Sequence, residues 1–169
     1  MKKRIALSLI LGLIVLDAGV SLSNTMRPTG ILIHHTALPD TTGPAEIEQL
    51  HKNRGFGAFY WWKTYYIGYH YLILPDGQVI EVRPEHLRGA HAAEANDTIG
   101  ICLIGNFDSS SGGHPPTEAQ MKAVTRLSRE LIQKYHFSIS QVRRHLDVEP
   151  TLCPGDLMPW QQFIKSLEG

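Results

Sequence analysis

The sequence predicts a single α/β domain in which helices pack on a mixed central β-sheet. Two short apolar runs, at residues 31–33 and 98–104, are typical of buried strands. The longest helical pattern places apolar side chains at helical spacing from Met121 to Tyr135, which defines a face directed at a core. Few strands alternating irregularly with about three helices indicate a sheet with helices packed on it. A chain of 169 residues supplies one such domain.

The first half of the folded part is predicted to hold a strand, a turn, a helix and a hairpin. Gly55 follows the helical pattern and is typical of the residue that ends a helix in the left-handed conformation. The sequence Pro75-Asp76-Gly77 between two β-rich segments indicates a hairpin turn. In chain order, the predicted segments are residues 31–33, 39–44, 45–54, 69–74 and 78–82.

The second half is predicted to hold a strand, a flexible loop and three helices. Thr117 and Gln120 form a capping-box pair at the start of the long helix. Ser140 is expected to cap a short helix that runs toward His145, and Pro159 suits the first turn of a closing helix. In chain order, the strand, the loop, the apolar stripe of the long helix and the closing helix are residues 98–104, 109–116, 121–135 and 159–167.

Composition excludes several classes of protein. Hydrophobic residues make up 43% and charged residues 19%, which is typical of a globular chain and excludes an intrinsically disordered one. Basic and acidic residues both total 16, so the formal net charge is zero, which argues against a nucleic-acid partner. Two cysteines exclude a disulfide-rich scaffold. Nine histidines point to metal chemistry, because histidine is the commonest metal ligand.

The N-terminus has the pattern of a secretory signal. Lys2, Lys3 and Arg4 precede a largely apolar run at residues 5–16. As a helix this run rises only ~18 Å, short of the ~30 Å hydrocarbon core of a bilayer. No clean cleavage triplet follows it, so an uncleaved anchor that tethers the protein to a membrane through residues 5–22 stays open.

We therefore expect residues 1–22 to be a signal peptide or N-terminal anchor and residues 27–169 to form the functional domain. The protein is then exported, to the periplasm or the extracellular space. We also expect it to be a monomer.

Three residues in distant segments form a candidate catalytic metal site. His34 lies at the end of the first predicted strand, and His145 and Cys153 are close together near the C-terminus. Zinc accepts imidazole and thiolate ligands, and three protein ligands leave a fourth position open for water. The set therefore predicts one catalytic zinc ion per chain.

Four sequence blocks carry a resemblance to a known family. They are ILIHHTA, IGYHYLILPDG, RGAHAAEANDTIGICLIGNFD and RRHLDVEPTLCPG, at residues 31–37, 67–77, 88–108 and 143–155. In this order they resemble the zinc-dependent N-acetylmuramoyl-L-alanine amidases of type 2, which share their fold with peptidoglycan recognition proteins and certain phage lysozymes. The resemblance runs from about Gly30 to Leu167 and implies that same fold.

The resemblance also implies roles for particular residues. His34, His145 and Cys153 match the three zinc ligands of the family. Tyr69 matches a tyrosine that family members place beside the metal-bound water and the scissile carbonyl. Thr151 falls where some members have a catalytic lysine and others a threonine, so the identity of the second polar catalytic group stays open.

Other polar side chains near these motifs are candidates for contact with substrate or ligands. His35 follows His34 on the strand and points to the opposite face, while His91 and Asn96 lie in a loop before a strand. We expect substrate contacts from these three, with turn chemistry as the alternative for Asn96. Tyr69, His35 or His91 is expected to protonate the leaving amine. Asp147 is expected to orient His145, with a turn aspartate as the alternative.

The two cysteines allow a second interpretation of the metal site. Export to an oxidising compartment would permit a disulfide between Cys102 and Cys153. Cys102 lies in a predicted buried strand, where we interpret it as a small hydrophobic residue of the core. We favour Cys153 as a ligand, because a disulfide would remove its thiolate.

Residues 56–66 hold seven of the chain's fourteen aromatic side chains. Exposed aromatic rings stack well on sugars, so Trp61 and Trp62 are candidates for the wall of a substrate groove. A membrane-facing patch is a second interpretation. A hydrophobic loop folded onto the core is the third.

The predicted function is zinc-dependent hydrolysis of the amide bond between N-acetylmuramic acid and L-alanine, in peptidoglycan or released muropeptides. An amide is a poor electrophile with a poor leaving group, and a zinc ion both polarises the carbonyl and acidifies water. The alternative is a non-catalytic peptidoglycan-binding module on the same fold, since fold alone does not decide function. A membrane-tethered regulator with a protein partner is a third hypothesis.

Overall fold

The computed structural model describes residues 24–168, and the predicted signal or anchor at residues 1–22 lies outside them. Within the described residues, seven strands and three α-helices follow one another in the order β1, α1, β2 to β6, α2, β7, α3. The strands are β1 Ile31–His35, β2 Ala58–Tyr60, β3 Lys63–Tyr65, β4 Tyr71–Ile73, β5 Val79–Glu81, β6 Ile99–Leu103 and β7 Val142–Arg144. The helices are α1 Pro44–Asn53, α2 Glu118–Tyr135 and α3 Trp160–Leu167.

Five strands form one mixed sheet in the order β5-β4-β6-β1-β7. The pairs β4–β6, β6–β1 and β1–β7 are parallel, and β5 pairs antiparallel with β4. Strands β2 and β3 form a separate antiparallel hairpin. The prediction of one α/β domain with a mixed sheet and packed helices is confirmed.

The two faces of the sheet carry different layers. On one face, Ile31 and Ile33 pack with α2 and α3 through Val124 and Phe163 in the main hydrophobic core. On the other face, a smaller cluster joins Leu72 and Cys102 to α1 and to the segment before β4. Because side chains alternate along a strand, His34 points away from the main core and His35 points into it. Strand β1 therefore presents one histidine to each layer.

Most of the predicted elements form where the sequence places them. The capping box is present, with Thr117 Oγ1 accepting the Gln120 N–H at 3.0 Å and Gln120 Oε1 accepting the Thr117 N–H at 3.1 Å. Gly77 has φ of 87° in the predicted hairpin turn, a conformation that favours glycine. Among the described residues, no helix combines the length and the apolar character needed to cross a bilayer.

The prediction of a short helix from Ser140 toward His145 is wrong. Ser138 instead begins a single 3₁₀ turn at Ile139–Gln141, and the chain then enters strand β7. This strand pairs with β1 through Val142 and the two residues after it. The sequence pattern misses the strand because two of its three residues are arginines, which suit an exposed sheet edge and show no apolar alternation.

The aromatic segment forms the β2–β3 hairpin and is not a loop folded onto the core. Trp61 and Trp62 form its tip and are 66% and 91% exposed. Trp61 has φ of 56°, so the turn is made with a bulky residue in the left-handed region. For these two side chains the interpretation as core packing is wrong.

Two buried histidines accept hydrogen bonds from the backbone, which makes the fold sensitive to acid. His70 Nδ1 accepts the Gly100 N–H at 3.0 Å, and His51 Nδ1 accepts the Gly68 N–H at 2.9 Å. Burial lowers the pKa of both imidazoles to about 4. The unfolded chain therefore takes up protons first as the pH falls below about 6.5. Stability is fully present above that pH and decreases toward pH 4.

We expect the free energy of unfolding of the metal-free protein to fall between pH 7 and pH 4.5, by up to about 3 kcal/mol for each of these imidazoles. Urea denaturation with a chelator present measures it. His70→Gln should flatten the dependence, and the same change at the exposed His86 should preserve it. Equal stability at the two pH values would contradict the expectation.

Candidate metal centre

Three side chains from β1 and from the loop after β7 converge on one point. The ligand atoms of His34, His145 and Cys153 all lie within 4.8 Å of one another. The centroids of the two imidazole rings are 4.6 Å apart, and Cys153 Sγ lies 3.7 Å from His34 Nδ1. The parallel pairing of β7 with β1 produces this convergence, since it brings the start of the His145 turn beside the end of β1.

The surroundings favour the neutral forms of His34 and Cys153 in the absence of an ion. Burial lowers the pKa of His34 well below its usual value, and the neighbouring His91 and His145 lower it further. Burial raises the pKa of the Cys153 thiol to about 12, although the His35 N–H donates to its sulfur at 3.3 Å. A bound cation reverses this preference, because it stabilises a thiolate and an unprotonated imidazole.

The donor set fits zinc. Two imidazole nitrogens and one sulfur are ligands that zinc accepts at distances of about 2.0–2.3 Å. Atoms within 4.8 Å of one another can surround one such ion after small side-chain movements. Three protein donors leave room for a further ligand, which is the arrangement of a catalytic zinc site rather than a closed structural one.

The carboxylate that contacts His145 belongs to Glu149, whereas the sequence predicts Asp147 in this role. His145 Nε2 lies 3.1 Å from Glu149 Oε2. The Asp147 carboxylate instead accepts the Arg144 N–H at 2.8 Å and pairs with the Arg144 guanidinium. The spacing of four residues between His145 and Glu149 was the available signal in the sequence.

His91 and Asn96 lie inside the protein's own hydrogen-bond network. His91 Nδ1 is 3.0 Å from His34 Nε2, and His91 Nε2 is 3.1 Å from the Thr98 carbonyl oxygen. Asn96 Oδ1 accepts the backbone N–H groups of His91 and Ala92. Asn96 therefore shapes the loop, as the turn alternative proposes, and both ring nitrogens of His91 are engaged by groups of the protein itself. The substrate contacts expected of these two residues stay a prediction.

His35 lies in the main core. It is 6% exposed, its Nδ1 accepts the Phe107 N–H at 3.1 Å, and its ring packs on Phe107. Burial lowers the pKa of His35 to about 4. A buried ring on the face opposite His34 is poorly placed for the substrate contact or proton transfer that the sequence suggests.

Tyr69 borders the cluster. Its ring centroid lies 5.1 Å from that of His34. Burial raises the pKa of the Tyr69 hydroxyl well above its usual value, and the nearby thiols of Cys102 and Cys153 raise it further. Both cysteines are free, so the structure contains no Cys102–Cys153 disulfide.

Thr151 supports the loop that carries Cys153. Its Oγ1 accepts the Cys153 N–H at 3.2 Å. Thr151 is half-buried and two residues before the sulfur ligand, so its hydroxyl lies at the margin of the cluster.

A buried arginine, which the sequence interpretation missed, fixes the chain that leads into Tyr69. Arg83 is 1% exposed, and its guanidinium donates to four backbone carbonyls. The acceptors and distances are Ile67 at 2.9 Å, Arg88 at 2.5 Å, Phe56 at 2.8 Å and Tyr65 at 3.1 Å. Burial lowers the pKa of Arg83 to about 10, so the group stays charged at neutral pH. One side chain thus connects the β2–β3 hairpin to the segment of Tyr69.

Comparisons with known proteins match both the sequence and the fold of this chain. The sequence profile of the N-acetylmuramoyl-L-alanine amidase family matches residues 24–156. The chain is 34% identical over 150 residues to an endolysin of Klebsiella phage KP32, which covers 85% of this chain and 91% of the endolysin. It is 31% identical over 134 residues to a peptidoglycan-recognition protein of Drosophila melanogaster, covering 74% and 67% of the two chains. Its fold matches the endolysin N-acetylmuramoyl-L-alanine amidase LysCS of Clostridium intestinale, with a TM-score of 0.72, 35% identity and 85% of each chain covered.

Proposed function

This chain belongs to the N-acetylmuramoyl-L-alanine amidase family, and from that premise we propose that it hydrolyses the amide bond between N-acetylmuramic acid and L-alanine with one zinc ion held by His34, His145 and Cys153. The substrate is peptidoglycan or a muropeptide released from it. The observation that carries the proposal is the convergence of three zinc-type donors beside Tyr69. A binding module has no need of that donor set, which disfavours the non-catalytic alternative.

Zinc bound by this set supplies Lewis-acid polarisation of the amide carbonyl and lowers the pKa of water to about 7. Side chains of the protein provide the remaining stabilisation of the reacting groups. One thiolate ligand leaves a formal charge of +1 at the centre, so neighbouring hydrogen-bond donors carry more of the stabilisation.

Tyr69 is the proposed donor to the oxyanion that develops on the carbonyl. Its high pKa keeps the hydroxyl protonated at neutral pH, which a donor requires. Loss of one such donor costs roughly 2.7–4 kcal/mol in other hydrolases. Thr151 is the proposed second polar group, through the hydroxyl that also supports the Cys153 loop.

The proposal is tested by measuring metal content and bond cleavage on the same full-length preparation, purified without chelator. We expect one zinc per chain by elemental analysis and new L-alanine amino termini when peptidoglycan is digested. Mass spectrometry of the products identifies the bond that is cut. Zinc without cleavage would favour the binding module, and absence of zinc would overturn the metal site.

The exposed hairpin tip suits the wall of a glycan-binding surface. Trp61 and Trp62 are exposed, and aromatic rings stack on sugars. We expect the double variant Trp61→Ala, Trp62→Ala to bind peptidoglycan roughly 5–150-fold more weakly, because each lost ring removes ~0.5–1.5 kcal/mol of binding free energy. Its free energy of unfolding should stay within about 0.5 kcal/mol of wild type, because both rings are on the surface.

Leu50→Ala, at an exposed leucine on α1, is the matched control for this pair. Pull-down with insoluble peptidoglycan and urea denaturation measure the two effects. Unchanged binding together with lowered stability would contradict a role in substrate binding. Preferential loss of vesicle binding would instead favour the membrane-facing interpretation.

We further propose that residues 1–22 direct export, so that the domain reaches the wall in the periplasm or outside the cell. A tether through residues 5–22 stays the alternative. We propose a monomer that binds no nucleic acid, in keeping with its zero formal net charge. The mass of the mature protein distinguishes a cleaved signal from an anchor.

A further inference from the structure

His91 contacts the nitrogen of His34 that does not face Cys153. His34 Nε2 lies 3.0 Å from His91 Nδ1, while His34 Nδ1 lies 3.7 Å from Cys153 Sγ. His91 therefore adjoins the cluster without belonging to its donor set.

The hydrogen bonds of His91 fix which nitrogen of His34 carries a hydrogen. The Thr98 carbonyl only accepts, so His91 Nε2, at 3.1 Å from it, carries the hydrogen and donates. A neutral imidazole has one such hydrogen, which leaves His91 Nδ1 as an acceptor. His34 Nε2 must then be the donor to His91. His34 Nδ1 keeps a free lone pair, and this atom faces Cys153.

The opposite direction of the hydrogen bond, with His91 Nδ1 donating to His34 Nε2, is unfavourable. It requires His91 to carry hydrogens on both nitrogens and to donate to His34, which would place the His34 hydrogen on the metal-facing atom. Within the described part of the chain, the hydrogen-bond partners of His91 are His34, Asn96 and Thr98, and none of them is a carboxylate. A buried cation without a counter-ion is costly.

The fold leaves a space that the His91 ring fills. A Cβ placed on Gly89 would come within 2.4 Å of the His91 ring, and a Cβ on Gly100 within 2.6 Å. Real Cβ contacts are not that close, so neither position accepts a side chain while the ring is there. The absence of side chains at Gly89 and Gly100 therefore leaves room for the His91 ring beside His34.

We propose that His91 is a positioning residue that holds His34 in the Nε2–H tautomer and so presents Nδ1 to the metal. This inference rests on the proposed function, because it assumes that His34 binds an ion. Glu149 orients His145 in the same way, since it accepts from Nε2. The two histidine ligands are thus held by different acceptors, a neutral imidazole for His34 and a carboxylate for His145.

Leucine and asparagine at position 91 separate hydrogen bonding from packing, because their side chains have the same shape. His91→Leu removes the acceptor, and His91→Asn places an amide oxygen near the position of Nδ1. We expect His91→Leu to bind zinc about 10–100-fold more weakly in competition with a chromophoric chelator. His91→Asn should recover most of that loss. His114→Leu, at an exposed histidine, should leave zinc affinity unchanged.

The tautomer of His34 is measured directly on the metal-free full-length chain by two-bond ¹H–¹⁵N NMR. We expect a hydrogen on Nε2 in the wild type and loss of that single state in His91→Leu. A hydrogen on Nδ1 in the wild type would overturn the proposal, and so would equal zinc affinities for His91→Leu and His91→Asn. If the wild type binds no zinc, the proposed function fails, and the NMR measurement still decides the role of His91.

Discussion

Replacing Cys153 with serine is expected to remove zinc from the protein and to abolish amide cleavage. A serine hydroxyl does not ionise near neutral pH and is a poor zinc ligand, so only two histidines remain. The loss of zinc affinity should exceed the roughly 10–100-fold that follows the loss of an outer hydrogen-bond partner. Elemental analysis, chelator competition and release of L-alanine amino termini measure these effects.

Cys102→Ala is the matched control for this substitution. Cys102 is fully buried and lies outside the donor set, so this variant should retain stoichiometric zinc. Thermal denaturation with a chelator checks that Cys153→Ser still folds, because the Cys153 sulfur also accepts the His35 N–H. Wild-type zinc affinity in Cys153→Ser would contradict the assignment of the third ligand.

The second large effect is expected at Arg83. In Arg83→Met, four backbone carbonyls lose a charged donor in the protein interior. An unsatisfied buried polar group costs about 1–3 kcal/mol, and some of these carbonyls will relax toward water. We therefore expect the free energy of unfolding to decrease by on the order of 3–5 kcal/mol. Urea denaturation measures the decrease.

Arg83→Lys and Arg88→Met complete this experiment. Lysine keeps the charge but not the planar fork, so it should give an intermediate loss. Arg88 is exposed, and its replacement should change stability by no more than about 0.5 kcal/mol. A loss below about 1 kcal/mol in Arg83→Met would show that the four hydrogen bonds are not a major source of stability.

The parts of the fold that follow hydrophobic patterns are predictable from the sequence. Strand β1 begins with an apolar run at residues 31–33, β6 is apolar along its length, and α2 has both an apolar stripe and a capping box. Strand β7 does not follow such a pattern, because an edge strand with Val142 as its buried residue needs no alternation. Its position comes from pairing with β1, which depends on residues more than 100 positions away.

The same distinction applies to the candidate site. The proposed ligands and Tyr69 lie in motifs that the family resemblance identifies, and the structure brings those side chains together. The partners that orient them were assigned less well. His91 reaches His34 across 57 positions, and Glu149 rather than Asp147 reaches His145. Residue type indicates that a side chain can form a hydrogen bond, but the partner is set by packing.

The position of β7 at the edge of the sheet has a consequence for local opening. This strand has one neighbour, β1, and is held by only three residue pairs. An ion shared by His34, His145 and Cys153 would attach the residues just after β7 to strand β1. Edge strands and their flanking turns exchange amide hydrogens through sub-global openings that cost less than complete unfolding. Metal binding would therefore slow hydrogen exchange most at residues 142–153, and loss of the ion would expose this segment to proteases while the rest of the core stays folded.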